Sequence, residues 1–187
     1  MRSLKPTRSP LAVAAALVLT AFVGSAVAAV TVYTNDFSNR AEFREIVKSG
    51  GGKRCDRNFR EKSKSMRAAV KRSPTTCSFR APVQGDRELP NHDVKLDGKL
   101  LKTTDKSLRD GAFLELTVRA GGGGVGYTLQ VFPKRKRFEL ERGPAGNGFP
   151  VRGRSGAING VHERNQLRLV AAGADIRALV NGREVAS

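Results

Sequence analysis

Gly111-Ala112-Phe113-Leu114-Glu115-Leu116-Thr117-Val118 decides how the rest of this chain is read. Ala112, Leu114, Leu116 and Val118 alternate with Phe113, Glu115 and Thr117. A period of two sends successive side chains to opposite faces of a sheet, one for a core and one for water. The same period returns in Val125, Tyr127, Leu129 and Val131, and again in Phe138 and Leu140. It recurs in Leu167, Leu169 and Ala171, then in Ile176, Ala178 and Val180. Gly173 with Asp175, and Asn181-Gly182 before Val185, mark two hairpin turns. Asn-Gly suits a type I′ turn because both residues tolerate positive φ. Short alternating strands with glycine-rich turns predict an all-β antiparallel sandwich or barrel.

The N-terminal half is less regular. Residues 39–48 are expected to form one short helix, capped by Ser38 or Asn39 and ended by Ser49-Gly50-Gly51-Gly52. Residues 53–72 are the most basic stretch, with nine lysines and arginines against Asp56 and Glu61. Residues 65–70 and 76–82 read as strands around Ser73-Pro74, and residues 94–101 as one further strand.

Residues 1–28 have the three regions of a secretory signal peptide. Arg2, Lys5 and Arg8 come first, then an uncharged apolar run, then Ala26-Val27-Ala28. Apolar residues continue through Val32, long enough for an uncleaved anchor. The alanine-rich end and the strand-like Val30-Thr31-Val32-Tyr33 favour cleavage between Ala28 and Ala29 instead. Cleavage leaves residues 29–187 as one secreted domain with no stable membrane span. The leader holds three of the 34 basic residues and none of the 17 acids, so the remainder carries +14. Such an excess favours anionic surroundings, although it also serves solubility alone.

Cys55 and Cys77 are the two cysteines. An even pair in an exported chain is expected to form a disulfide. Zinc is the weaker reading, because no second cysteine or histidine lies two to four residues from either, and His92 and His162 are distant.

Lys134-Arg135-Lys136-Arg137 is the sharpest charged feature and a candidate anion site. Its plainer reading is a solvated turn after Pro133. Glu139-Leu140-Glu141 places two carboxylates on one strand face about 7 Å apart. A glycosidase needs two carboxyl groups across a scissile bond. Here Arg142 follows, so the pair is expected to be solvent-facing charge balance for Lys136, Arg137 and Arg142. No Gly-x-Ser-x-Gly elbow is present, and the glycines at 121–124 and 126 lack the Gly-Lys-Ser/Thr ending of a phosphate loop.

The order of these pieces resembles the concanavalin A-like lectin/glucanase superfamily, especially laminin G-like domains of exported bacterial proteins. Tyr33-Thr34-Asn35-Asp36-Phe37-Ser38 looks like the family's first strand and its exit. Leu108-Arg109-Asp110-Gly111-Ala112-Phe113 leads into a strand ending at Arg119, and Gly126-Tyr127-Thr128-Leu129-Gln130-Val131 looks like the next. Asn165-Gln166-Leu167-Arg168-Leu169-Val170-Ala171, then Gly173, Ile176 and Val180-Asn181-Gly182, is the most specific match. The resemblance implies a jelly roll of two antiparallel sheets with a carbohydrate or protein ligand. Family hydrolases carry Glu-x-Asp-x-Glu on one strand, of which Glu139 and Glu141 supply only two acids. Calcium is common in the family, but Asp36 and Asp175 are isolated turn formers here, and no cofactor is expected. Family members continue past "V-N-G" with further strands, so the expectation is either a truncated chain or an open sheet edge that favours self-association or docking on another protein. The chain has no tryptophan, so any aromatic sugar platform must come from Tyr33, Tyr127 or the nine phenylalanines.

The expectation is therefore an all-β sandwich with one short N-terminal helix that binds glycan or an anionic cell-envelope polymer without catalysis. A glycoside hydrolase using Glu139 and Glu141 is the alternative, and an accessory docking domain the third. Nucleic acid is not an expected partner of an exported chain.

Overall fold

The structure, a computed structural model of the chain, describes residues 36–70, 76–80, 91–101, 111–118, 126–143 and 150–187. The signal segment with Ala28 and Ala29, the strand expected at residues 30–33 and the Ser73-Pro74 turn lie outside these residues. So do Arg119 and the glycines at 121–124.

The fold is all-β, with antiparallel sheets and one short helix. That helix, α1 (Arg40–Glu45), is capped by Asn39, whose side chain accepts from the amides of Ala41 and Glu42 at 2.8 and 3.1 Å. It is shorter than the sequence predicts. Ile46 is buried and already extended, at φ −73° and ψ 109°. The next two residues form β1 (Val47–Lys48), which pairs with β4 (Phe79–Arg80). Backbone pairing has overridden helix propensity here.

The basic stretch forms a hairpin. β2 (Cys55–Arg60) pairs with β3 (Ser65–Val70) through a turn at residues 61–64. The sequence predicts β3, but as the partner of the segment after Ser73-Pro74, and gives no clear signal for β2. Alternation in β2 is masked because one face carries Arg57 between Cys55 and Phe59. The Arg57 guanidinium carbon lies 4.8 Å from the Phe43 ring centre, and Phe43 lies 5.9 Å from Phe59. The arginine thus takes an aromatic partner rather than water. Cys55 is buried, and its sulfur is at disulfide distance from that of Cys77, with their Cα atoms 5.6 Å apart.

Two four-stranded sheets make the sandwich. One has the order β12 (Arg183–Ala186), β11 (Asp175–Val180), β10 (Asn165–Ala172), β5 (His92–Gly98). The other runs β6 (Leu114–Val118), β7 (Tyr127–Phe132), β8 (Arg137–Arg142), β9 (Val151–Arg154). Leu116, Val118, Leu129, Val131, Phe138 and Leu140 from the second sheet meet Leu167, Leu169, Ala178 and Val180 from the first in one buried cluster. These are the residues whose alternation predicts the strands. Ile158, from the loop between β9 and β10, joins them at full burial. Asn181 and Gly182 turn β11 into β12 with φ of 50° and 80°, the positive values that Asn-Gly accommodates.

Candidate functional site: a polar sheet face beside a cationic turn

The core claims every second residue of β6, β7 and β8, so the intervening side chains lie on the opposite, outer face. Register places them in rows. Glu115 pairs with Gln130, Gln130 with Glu139, and Glu139 with Arg152. Thr117 pairs with Thr128, and Thr128 with Glu141. Phe132 pairs with Arg137, and Arg137 with Arg154.

The first two rows are joined by hydrogen bonds. Gln130 Nε2 donates to Glu115 Oε2 at 2.9 Å, and the hydroxyls of Thr117 and Thr128 are 3.1 Å apart. Arg137 and Arg152 both reach Glu139 Oε1, through Nη2 at 2.9 Å and Nε at 3.3 Å. Thr128 is 4 % exposed and Glu139 7 % exposed, although both point away from the core. A buried carboxylate is costly unless paired and hydrogen-bonded, and the two guanidinium groups supply that pairing. Arg137 also stacks on Phe132, with its guanidinium carbon 4.5 Å from the ring centre. Phe132 in turn lies 5.5 Å from Phe113.

The cations collect at one end of this sheet. After β7, Pro133 opens a single 3-10 turn, Pro133–Arg135, for which its fixed φ is well suited. Lys136 closes the turn in the left-handed region, at φ 51°. Pro133 is buried, whereas Lys134, Arg135 and Lys136 are exposed. The Ser155 amide donates to the Lys136 carbonyl at 3.0 Å, which brings the end of β9 against the turn. Gly153 lets β9 approach closely. A Cβ there would lie 2.8 Å from Cε1 and Cζ of Phe138. Arg152 and Arg154, on either side of that glycine, therefore share the outer face, both exposed.

The four basic residues singled out from sequence thus divide. Lys134, Arg135 and Lys136 form the exposed turn, while Arg137 folds back onto Glu139 and Phe132. Glu139 and Glu141 do share a face, as their spacing implies. Glu139 is buried and doubly paired, however, where the sequence reading had it solvent-facing. Sequence alone does not mark Glu115, Arg152 and Arg154 as site residues. Arg152-Gly153-Arg154 does carry a period-two signal, but it is too short to stand out beside Lys134-Arg135-Lys136-Arg137. Glu115 reads only as the polar partner in an alternating strand until register sets it two strands from Glu139.

The β2–β3 hairpin belongs to a different sheet from this one. Among the described residues, no three His, Cys, Asp or Glu side chains gather where they could hold a metal ion. No helix among the described residues is long and apolar enough to cross a membrane. No family model, curated protein or solved structure matches this chain.

Proposed function

We propose that this chain is exported and that its sandwich is a non-catalytic, lectin-like domain that binds an anionic cell-envelope polysaccharide. The observation that carries the reading is the exposed Lys134, Arg135 and Lys136 turn beside the end of β9, where Arg154 and, one row further along, Arg152 lie on the polar sheet face. Clustered cations raise the local concentration of a polyanion and hold it by charge. The Thr117 hydroxyl, the Gln130 amide and the Glu115 carboxylate, ordered on the adjoining rows and not buried, suit the hydroxyls of a sugar chain. The signal-like residues 1–28 and a cysteine pair at disulfide distance fit an oxidising compartment.

Hydrolysis is disfavoured by the surroundings of Glu139. Its Oε1 is already shared by two guanidinium groups, so that oxygen is not free to meet a glycosidic oxygen. Binding of polygalacturonate, dextran sulfate and neutral dextran at two salt concentrations tests the proposal. The two acidic polymers should bind, and more weakly at high salt. Neutral dextran should bind least, and replacing Lys134, Arg135 and Lys136 by alanine should weaken acidic binding. Equal binding of all three polymers would refute it. So would cleavage of a polysaccharide that disappears in a folded Glu139→Gln, Glu141→Gln variant.

A further inference from the structure

We infer that Glu139 is a positioning residue that holds Arg152 as a fork for one oxyanion of the bound polysaccharide, a carboxylate or a sulfate. The inference rests on the binding function proposed above and names where on β9 the ligand's charge is read.

Three observations carry it. Glu139 is the only buried acid among the described residues, at a position on the outer face where a threonine, as at Thr128, would avoid the desolvation cost. Its Oε1 meets Arg152 through Nε, the inner nitrogen of the guanidinium, at 3.3 Å. The Arg152 side chain nevertheless remains 58 % exposed. The planar group is therefore anchored at Nε, while much of the side chain remains open to solvent. Such a fork matches the two oxygens of a carboxylate or sulfate, and anchoring lowers the rotamer entropy lost when the ligand arrives.

Charge bookkeeping points to the same place. Arg137 also contacts Glu139 and is stacked on Phe132, so it offsets the buried carboxylate. Arg152 is then left in excess. Arg154 follows two residues along the same strand face, about 7 Å away. It has no ion-pair partner among the described residues. Arg152 and Arg154 together present two outward cations on a rigid strand, whereas Lys134, Arg135 and Lys136 present theirs on a turn.

The sign of one substitution separates positioning from plain electrostatics. Glu139→Gln removes a negative charge, so general electrostatics would make a polyanion bind more tightly. Positioning requires the reverse: affinity for polygalacturonate or dextran sulfate should fall about tenfold, the weight of one charged hydrogen-bonded contact. Arg152→Lys keeps the charge and loses the fork, and it should weaken binding nearly as much as Arg152→Ala. A fall with polygalacturonate alone assigns a carboxylate, and a fall with dextran sulfate alone assigns a sulfate. Circular dichroism and the melting temperature report whether Glu139→Gln is folded. If it is not, the exposed Arg152→Lys decides. Unchanged or tighter binding in a folded Glu139→Gln, or full affinity in Arg152→Lys, overturns the inference. If the Lys134, Arg135 and Lys136 triple variant is weakened in the same assay, the binding function survives that result. A parent protein that binds neither acidic polymer overturns both.

Discussion

Replacing Asn165 by leucine should destabilise the sandwich by about 3 kcal/mol. Asn165 opens β10 and is fully buried. Its Oδ1 accepts from the Asn159 amide at 2.8 Å and from Asn181 Nδ2 at 3.1 Å. Its Nδ2 donates to the Asn159 carbonyl at 3.2 Å. One side chain thus ties the loop carrying Ile158 to the β11–β12 turn. Asn181 completes the tie: it donates to the Ala157 carbonyl at 2.7 Å and accepts from the Gln166 amide at 2.7 Å. Leucine keeps the branched shape but is larger, and it leaves the Asn159 amide and carbonyl without their partner. Each abandoned group costs about 1–3 kcal/mol when buried. Asn159 is only half-buried, so the lower half of that range applies to both. Asn181 Nδ2 keeps Ala157 and adds little. For a domain of this size, about 3 kcal/mol lowers the melting temperature by about 6–12 °C. Urea unfolding followed by circular dichroism, with parent and variant compared at equal slope, measures the difference. A loss below about 1 kcal/mol would mean that water replaces the asparagine and that the three bonds do not hold the loop.

Three further outcomes are expected. Reduction of the Cys55–Cys77 pair, which closes a separation of 22 residues, should cost about 3 kcal/mol by loop entropy. All eight sandwich strands lie after Cys77, so limited proteolysis should quicken within residues 53–70 while the sheet signal largely persists. Arg168 holds the Asp93 carboxyl below its ordinary range through paired hydrogen bonds of 2.7 and 2.6 Å. The folded pKa is depressed, so that stabilisation is present above the unfolded value of about 3.9 and disappears as pH falls through the folded value. The stability gap between parent and Asp93→Asn should therefore be small at neutral pH, as for an exposed pair, and vanish in strong acid. Gly153→Ala should destabilise by about 1–3 kcal/mol, because its Cβ would meet the Phe138 ring. It should also weaken polyanion binding by displacing Arg152 and Arg154, so a variant with unchanged melting temperature and affinity would contradict the close approach of β9.

Most of the sandwich was legible along the chain, because its strands obey a local rule. Leu114, Leu116 and Val118, or Leu167, Leu169 and Ala171, announce a buried face by alternation, and Asn181-Gly182 announces its own turn. Hydrophobic period and turn chemistry act between near neighbours, so a linear reading captures them. β2 escaped because its inward position 57 is an arginine, acceptable only because Phe43 lies above it. β9 escaped because its core-facing residue is Gly153, chosen for the room that Phe138 leaves. Helix α1 ended early because residues some thirty positions away, in β4, offered its last residues a sheet partner.

The candidate site depends still more on register. By itself, the sequence determined that this is a basic, all-β chain with an export-like start, a cysteine pair and a cluster of four cations before two acids. Only the tertiary structure decided that Arg137 leaves that cluster for Glu139 and Phe132, and that Arg152 and Arg154 join it on the outer face. Charge at a single position is a local property. Which charges face one another across β8 and β9 depends on a pairing between residues about fifteen positions apart, and a slip of one residue would send them to the opposite face.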